Sequence, residues 1–294
     1  MHELNTPALA REVESLPPKE PADTRTLRRI TALNDWPVIT DPAGPTMLIA
    51  VLDTETEGFD PAVDHLLEIA VALVKVDAEG RIVEIVHKRY GLQDPGRPLA
   101  PKITQLTGLT DARLAGKSIN VAAMTSFIGR ADALLAHHAF FDSGFCRRLL
   151  PGIAHLPWIC SCRDVDWLAH GYDGAKLGHL LMQQGLFALK AHSAGDDVTA
   201  LVNLLATSLP NGRTVLAEAL ATARRDTVRV EAHNPSSAEK NELKRRGYKF
   251  AWAKRVWSID VSEPQAIYEQ SWLQRTMPRV RAELLPITWH ERHC

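Results

Sequence analysis

The chain has 294 residues, 45% of them hydrophobic and 23% charged, with a formal net charge of −1. This is the make-up of a globular protein with room for one full domain and a smaller one, and no run approaches the roughly 18 apolar residues of a membrane span. The opening MHELNTPALAREVESLPPKEP lacks a signal-type apolar core, and four cysteines do not suggest a secreted disulfide framework. A cytoplasmic location is expected.

Residues 1–46 read as an extension with two short helical patterns, ALAREVESL and TLRRITALN, set among Pro-containing stretches. From Met47 the pattern changes. MLIAVLD reads as a buried central strand ending in an acid, and LLEIAVALVKVD and RIVEIVHKRYGL, divided by AEG, as a hairpin. A helix at NVAAMTSFIGR, a strand at ADALLAHHA, a helix through Phe145 and Leu149, and a strand at PWICS follow. Further helices are expected at VDWLAHGY, at KLGHLLMQQG and from Ser193 to Leu209, which Pro210-Asn211-Gly212 breaks. Three strands followed by alternating helices and strands imply an α/β sheet flanked by helices over 47–210. Residues 211–294 then form a small basic α+β domain. Its elements are a helix from Thr214 to Arg225, a strand at VRVEAHN, a helix stopped by Gly247, a strand pair in YKFAWAKRVWSID, and a last helix from about Glu263 to Leu285.

Four carboxylates stand at the ends of these elements: Asp53 and Glu55 in DTETEG, Asp142 after LLAHHA, and Asp197 in AHSAGDD, with His192 five positions earlier. Side chains two apart in a strand share a face, so Asp53 and Glu55 aim together while Thr54 and Thr56 point away. Acids gathered without cations repel one another and are driven to protonate. Such a group makes sense as a site for two hard divalent cations. His192 is expected on a loop before the helix that holds Asp197, His137 as a packed residue and Asp196 on the surface or in a supporting position.

In order and spacing these motifs resemble the DEDDh exonucleases, the family of the proofreading epsilon subunit, RNase T and oligoribonuclease. The resemblance rests on DTETEG, AHHAFFD, the H-x-x-x-x-D of AHSAGDD, and ITQLTGLTD at Ile103–Asp111, and it spans roughly Met47 to Leu209. It implies a ribonuclease-H-like fold and removal of nucleoside monophosphates from 3′ ends. Asp53, Glu55, Asp142 and Asp197 would hold two Mg²⁺ or Mn²⁺ ions, and His192 would accept a proton from the attacking water. That requires a neutral imidazole, which histidine's ordinary range allows near neutral pH. Substrate contacts are expected from Thr54, Thr56, Thr107, Gly108, Leu109, His138 and Phe141. Two positions depart from the family pattern: His138 stands where Asn is usual, and Glu57 replaces a common Thr and adds negative charge.

Single-stranded DNA is the favoured substrate, with RNA trimming and a non-catalytic end-binding or polymerase-docking module as alternatives. Nothing in the chain resembles a polymerase, so proofreading would need a partner. Ten basic residues face five acids between Arg224 and Asp260, and Tyr248, Phe250, Trp252 and Trp257 alternate with Lys249, Lys254 and Arg255. These rings could stack bases or form the core of a small domain. Gln183–Phe187 resembles a sliding-clamp ligand, although burial behind a helix end is the stronger expectation. Cys160 and Cys162 with His155 and His170 could bind zinc, but the C-x-C spacing favours packed thiols.

Overall fold

The computed structural model describes residues 25–251 and 254–293. The ALAREVESL pattern, Trp252 and Cys294 lie outside them. The chain enters through a two-residue strand, β1 (Arg28–Arg29), and then builds β2 (Met47–Thr56), β3 (Leu66–Val76) and β4 (Ile82–Leu92). Helices α1 (Pro101–Thr107), α2 (Asp111–Leu114) and α3 (Val121–Ile128) precede β5 (Ala133–Ala136). Then come α4 (Ala139–Leu149), β6 (Trp158–Cys160), α5 (Leu177–Gln183), β7 (Leu186–Phe187), α6 (Ala194–Ala206) and α7 (Val215–Ala223). Five strands form one mixed sheet in the order β4-β3-β2-β5-β6, with β2 antiparallel to β3 and parallel to β5.

β2 is central because it is apolar on both faces. Ile49 and Val51 pack with Val198, Leu201 and Leu205 of α6, while Ala50 and Leu52 pack with Phe127 of α3 and Phe145 of α4. A continuous apolar run of this kind is what a strand covered on both sides requires. Its acids emerge only at the last turn of the strand, beyond the helices that cover it.

The helix expected to open the small domain, α7, packs instead in the core of the larger unit through Val215, Leu216 and Ala219. The second sheet's unit contains β8 (Thr227–His233), α8 (Ser237–Arg245), β9 (Lys249–Ala251), β10 (Val256–Val261), α9 (Glu263–Thr276) and β11 (Arg281–Ile287). Its strands form an antiparallel sheet, β11-β8-β10-β9. Val230 and Ala232 of β8 meet Leu243, Ala266, Leu273 and Met277 from the two helices. Tyr248 is buried in this core, and Trp257 is half-buried against it with Phe250 beside it. Tyr248 and Trp257 are therefore packing groups of the small domain. Much of its positive charge is paired, as in Arg229–Asp260, Arg245–Glu242 and Arg246–Glu269. The chain's last stretch returns to the larger unit: Ser143 Oγ donates to the His293 carbonyl at 2.7 Å, and His293 Nε2 lies 2.9 Å from Asp164.

Three expected helices are corrected. TLRRITALN forms a strap instead, because its backbone finds tertiary partners. Arg28 and Ile30 N–H donate to Gly185 and Phe187 carbonyls, and the Asn203 amide accepts from and donates to the Thr31 backbone. VDWLAHGY becomes a series of turns, in which Asp164 accepts the Cys160 N–H at 2.8 Å and Trp167 Nε1 donates to the Ser161 carbonyl. Such local side-chain bonds compete with a helix. The last helix stops at Thr276, ahead of Pro278, and Arg281–Ile287 pairs with β8 as a strand. Its two-residue alternation, with Ala282 and Leu284 against the core, fits a strand and not a helix face.

Candidate active site

The end of β2 carries Asp53 and Glu55, and the first turn of α6 carries Asp197. Ligand oxygens of these three acids lie within 4.8 Å of one another. Asp142, in the first turn of α4, is buried and accepts a hydrogen bond from Thr54 Oγ1 at 2.8 Å. The Thr54 hydroxyl, expected to touch substrate, is thus committed to holding Asp142, and it does so from the strand position between the two β2 acids. Thr56 is likewise buried and donates to the Gly58 carbonyl at 2.6 Å. A Cβ at Gly58 would fall 2.3 Å from the Asp64 carboxylate, so a larger residue there would have to displace that side chain.

Everything that acts on the β2 acids disfavours their charge. Burial pushes Asp53 well above the usual carboxylate range, with Asp142, Asp197, Glu55 and Glu68 adding repulsion. Glu55 is raised to about 8 by burial and by Asp197, Glu68 and Asp142. Burial raises Asp142 to about 7 despite the bond from Thr54. Asp197 is also raised by burial, against which the His192 N–H donates to its Oδ2 at 3.0 Å. Hard oxygen donors crowded at this spacing, repelling one another, fit a site for divalent cations. The residues present therefore match the metal requirement of the chemistry. Cys160, Cys162, His155 and His170 form no such group among the described residues.

His192 is exposed on the loop before α6 and adopts φ 64°, a left-handed conformation uncommon for a non-glycine residue. His137 is fixed, with Nδ1 2.8 Å from Ser161 Oγ and Nε2 2.7 Å from the Ala175 carbonyl, and burial lowers it to about 4. His138 is exposed at the start of α4, and Asp196 faces a cleft of about 850 Å³ bounded by the strap, β4 and α6. That cleft takes in Lys88, Tyr90 and Lys190 but none of the four acids. Gly108 caps α1 at φ 71°, the Thr107 hydroxyl donates to Ile103, and Leu109 is fully buried with Leu67, Leu99 and Leu114. Leu109 therefore has no side-chain surface to offer, whereas Gly108 beside it is exposed. The charge of Glu57 is absorbed: its carboxylate accepts from Arg97 at 2.8 and 3.0 Å and from His65, and Arg97 chiefly holds it at about 2.

Two residues escaped sequence reasoning. Glu68 of β3 lies directly opposite Glu55 and is fully buried. Its Oε2 accepts the Ala194 N–H at 3.0 Å, fixing the first residue of α6, and its Oε1 accepts from Tyr90. The available signal was a lone acid inside an apolar strand. Phe59 is 88% exposed immediately after DTETEG and makes an edge contact with Phe141.

A central strand ending in two acids, with a further acid in the first turn of each of two later helices, on a mixed sheet covered by helices, is the arrangement of a DEDD-type exonuclease domain. The exonuclease family model of RNase T type matches residues 50–205, over half of the chain, and the chain belongs to this family. It is 33% identical over 161 residues to DNA polymerase III PolC-type of Thermotoga maritima, a match covering 52% of this chain and 11% of that protein. The corresponding protein of Bacillus subtilis is 38% identical over 98 residues, covering 32% and 6%. The chain thus spans about a tenth of the length of these curated relatives. Among solved structures, a zinc-bound complex of Escherichia coli exonuclease I with single-stranded DNA matches at TM-score 0.51 and 16% identity, over 78% of this chain and 71% of that one. A second exonuclease I structure matches at TM-score 0.51 and 17% identity, over 83% and 63%. The shared fold is a mixed sheet flanked by helices.

Proposed function

We propose that the protein removes nucleoside monophosphates one at a time from the 3′ end of single-stranded DNA, using two Mg²⁺ or Mn²⁺ ions. The observation that carries this is the convergence of Asp53, Glu55 and Asp197 within 4.8 Å, with His192 on the loop bonded to Asp197. Asp53, Glu55, Asp142 and Asp197 would hold the ions. Bound cations would supply charge stabilisation for the attacking and leaving oxygens of the phosphodiester.

The chain's own residues do the rest. Glu68 and the His192 N–H set the start of α6 and the Asp197 carboxylate. Thr54 aims Asp142 from the strand. His192, exposed and close in sequence to a fixed ligand, accepts the proton of the attacking water. Phe59 and Phe141 offer rings on which terminal bases can stack, an interaction tolerant of sequence. Gly108 and His138 are exposed and available to the backbone of the strand. A DNA substrate is supported by the DNA polymerase relatives and by the single-stranded DNA held in the E. coli structure. The same relatives support a polymerase as partner.

A 5′-labelled single-stranded DNA, a matched RNA and a closed circular strand, each with Mg²⁺ or Mn²⁺, test this. Mononucleotides should appear from the linear DNA, a blocked 3′ end should slow release, and Asp53→Ala should cost roughly a thousandfold, corresponding to several kcal/mol of charge stabilisation. Equal loss of the closed circle would refute the polarity, and faster loss of the RNA would refute the substrate.

A further inference from the structure

We propose that Glu231, His233 and Glu283 form a binding site for a divalent transition-metal ion, Zn²⁺ foremost, on the second sheet. Glu231 and His233 are two apart on β8, and Glu283 lies directly across from Glu231 on β11. The three therefore share one face, the opposite one from Val230, Ala232, Ala282 and Leu284, which pack against the helices. Their ligand atoms lie within 4.8 Å of one another.

The spacing is that of a coordination shell. His233 Nε2 stands 3.3 Å from Glu231 Oε2 and 3.4 Å from Glu283 Oε2. A tetrahedral zinc with nitrogen and oxygen ligands at about 2.0–2.1 Å separates neighbouring ligand atoms by about 3.3–3.4 Å. Neither contact is a hydrogen bond, and His233 Nε2 and Glu231 Oε1 are buried atoms without a hydrogen-bond partner. Glu231 is 5% exposed; a carboxylate withdrawn this far from water needs a compensating charge, and in the metal-free chain Lys254 supplies it from 3.5 Å.

Two protein cations are nearby. Lys254 Nζ lies 3.5 Å from Glu231 Oε1 and Arg281 Nη2 3.3 Å from Glu283 Oε2. Both side chains are mostly exposed, at 61% and 69%, so they can turn to solvent when an ion enters. Glu283, at 41%, leaves the ion a path. Two carboxylates and a neutral imidazole match the charge of a divalent ion, and the nitrogen donor selects zinc over magnesium. An ion here would tie the first strand of the small domain to the last.

The test uses the full chain carrying Asp53→Ala and Asp197→Ala, so that the catalytic acids contribute no site, freed of metal by a chelator. Calorimetric titration with Zn²⁺ should show one bound equivalent that excess Mg²⁺ does not displace, and Co²⁺ should give visible absorption. Adding His233→Ala or Glu283→Gln should weaken binding by more than about 100-fold, beyond what loss of an outer partner costs. Because His233→Ala could disturb folding, Glu283→Gln, at a half-exposed position, decides if circular dichroism shows that it has. Absence of Zn²⁺ binding, or undiminished binding in either folded variant, would overturn the site.

Discussion

The five-stranded sheet buries acids at both of its ends, and the two ends treat them oppositely. Where β3 turns into β4, Asp77 is 4% exposed and accepts from Ala43 N–H, Glu79 N–H, Arg81 N–H and Arg81 Nε at 2.8–3.1 Å. Burial pushes this carboxyl up, but the donors from Arg81 and Ala43 outweigh it and hold it below the usual range. At the other end of the same strands, Asp53 and Glu55 feel burial and four or fewer acids, every one raising them. The same residue type is a finished structural element at one end and an unfinished electrostatic problem at the other. Only the second end has use for an external cation.

That contrast is broken most easily at Asp77. Asp77→Ala removes one carboxylate and strands several buried donors, so it should cost about 2–4 kcal/mol of stability. Denaturant unfolding measures the loss, while activity per folded molecule should stay near wild type. A large fall in activity at unchanged stability would show that the two ends are not separable.

The opposite sign is expected at Glu55. Its folded-state value of about 8 lies above the ordinary 4.5. Between these values the folded chain keeps a proton that the unfolded chain releases, so metal-free protein loses stability as pH climbs through about 8. Glu55→Gln removes that dependence. Without metal it should match wild type near pH 4 and be more stable by about 1–2 kcal/mol at pH 8, a gain of roughly 2–6 °C in melting temperature. Added Mg²⁺ should stabilise the wild type and leave the variant unchanged. A variant less stable than wild type in chelator at pH 8 would refute the repulsion.

The legibility of the two ends also differs. Asp53, Glu55, Asp142, His192 and Asp197 stand at element ends in a fixed order, and strand alternation alone puts the first two on one face. Glu68 was invisible as a site residue because its part depends on β2–β3 register, which joins it to Glu55 across 13 positions of chain. The strap from Arg28 to Asp35 and the strand β11 were misread for a related reason. Their backbone partners, Asn203 and β8, lie far away in sequence, and short apolar patterns do not separate strand from helix. Leu109 looked like surface because its motif did, yet its side chain closes a small apolar cluster.

The smallest expected effect tests whether Glu68 links the two behaviours. It is as buried as Asp77 and carries donors of its own, yet it stands among the crowded acids. Tyr90 donates to Glu68 Oε1 and accepts from Arg113 at 2.8 Å, while the other Glu68 oxygen holds Ala194 at the start of α6. Burial and the Glu68 carboxylate push the Tyr90 hydroxyl up to about 12, so it remains a donor across the working range. Tyr90→Phe leaves that oxygen with Arg113 at 3.7 Å and should cost about 0.5–1.5 kcal/mol in unfolding free energy. Because α6 carries Asp197, kcat at saturating Mg²⁺ should also fall a few-fold with KM for DNA little changed. A stability loss with kcat intact would make Glu68 a structural acid like Asp77. A fall in kcat would place it with the acids it faces, as the residue that positions them.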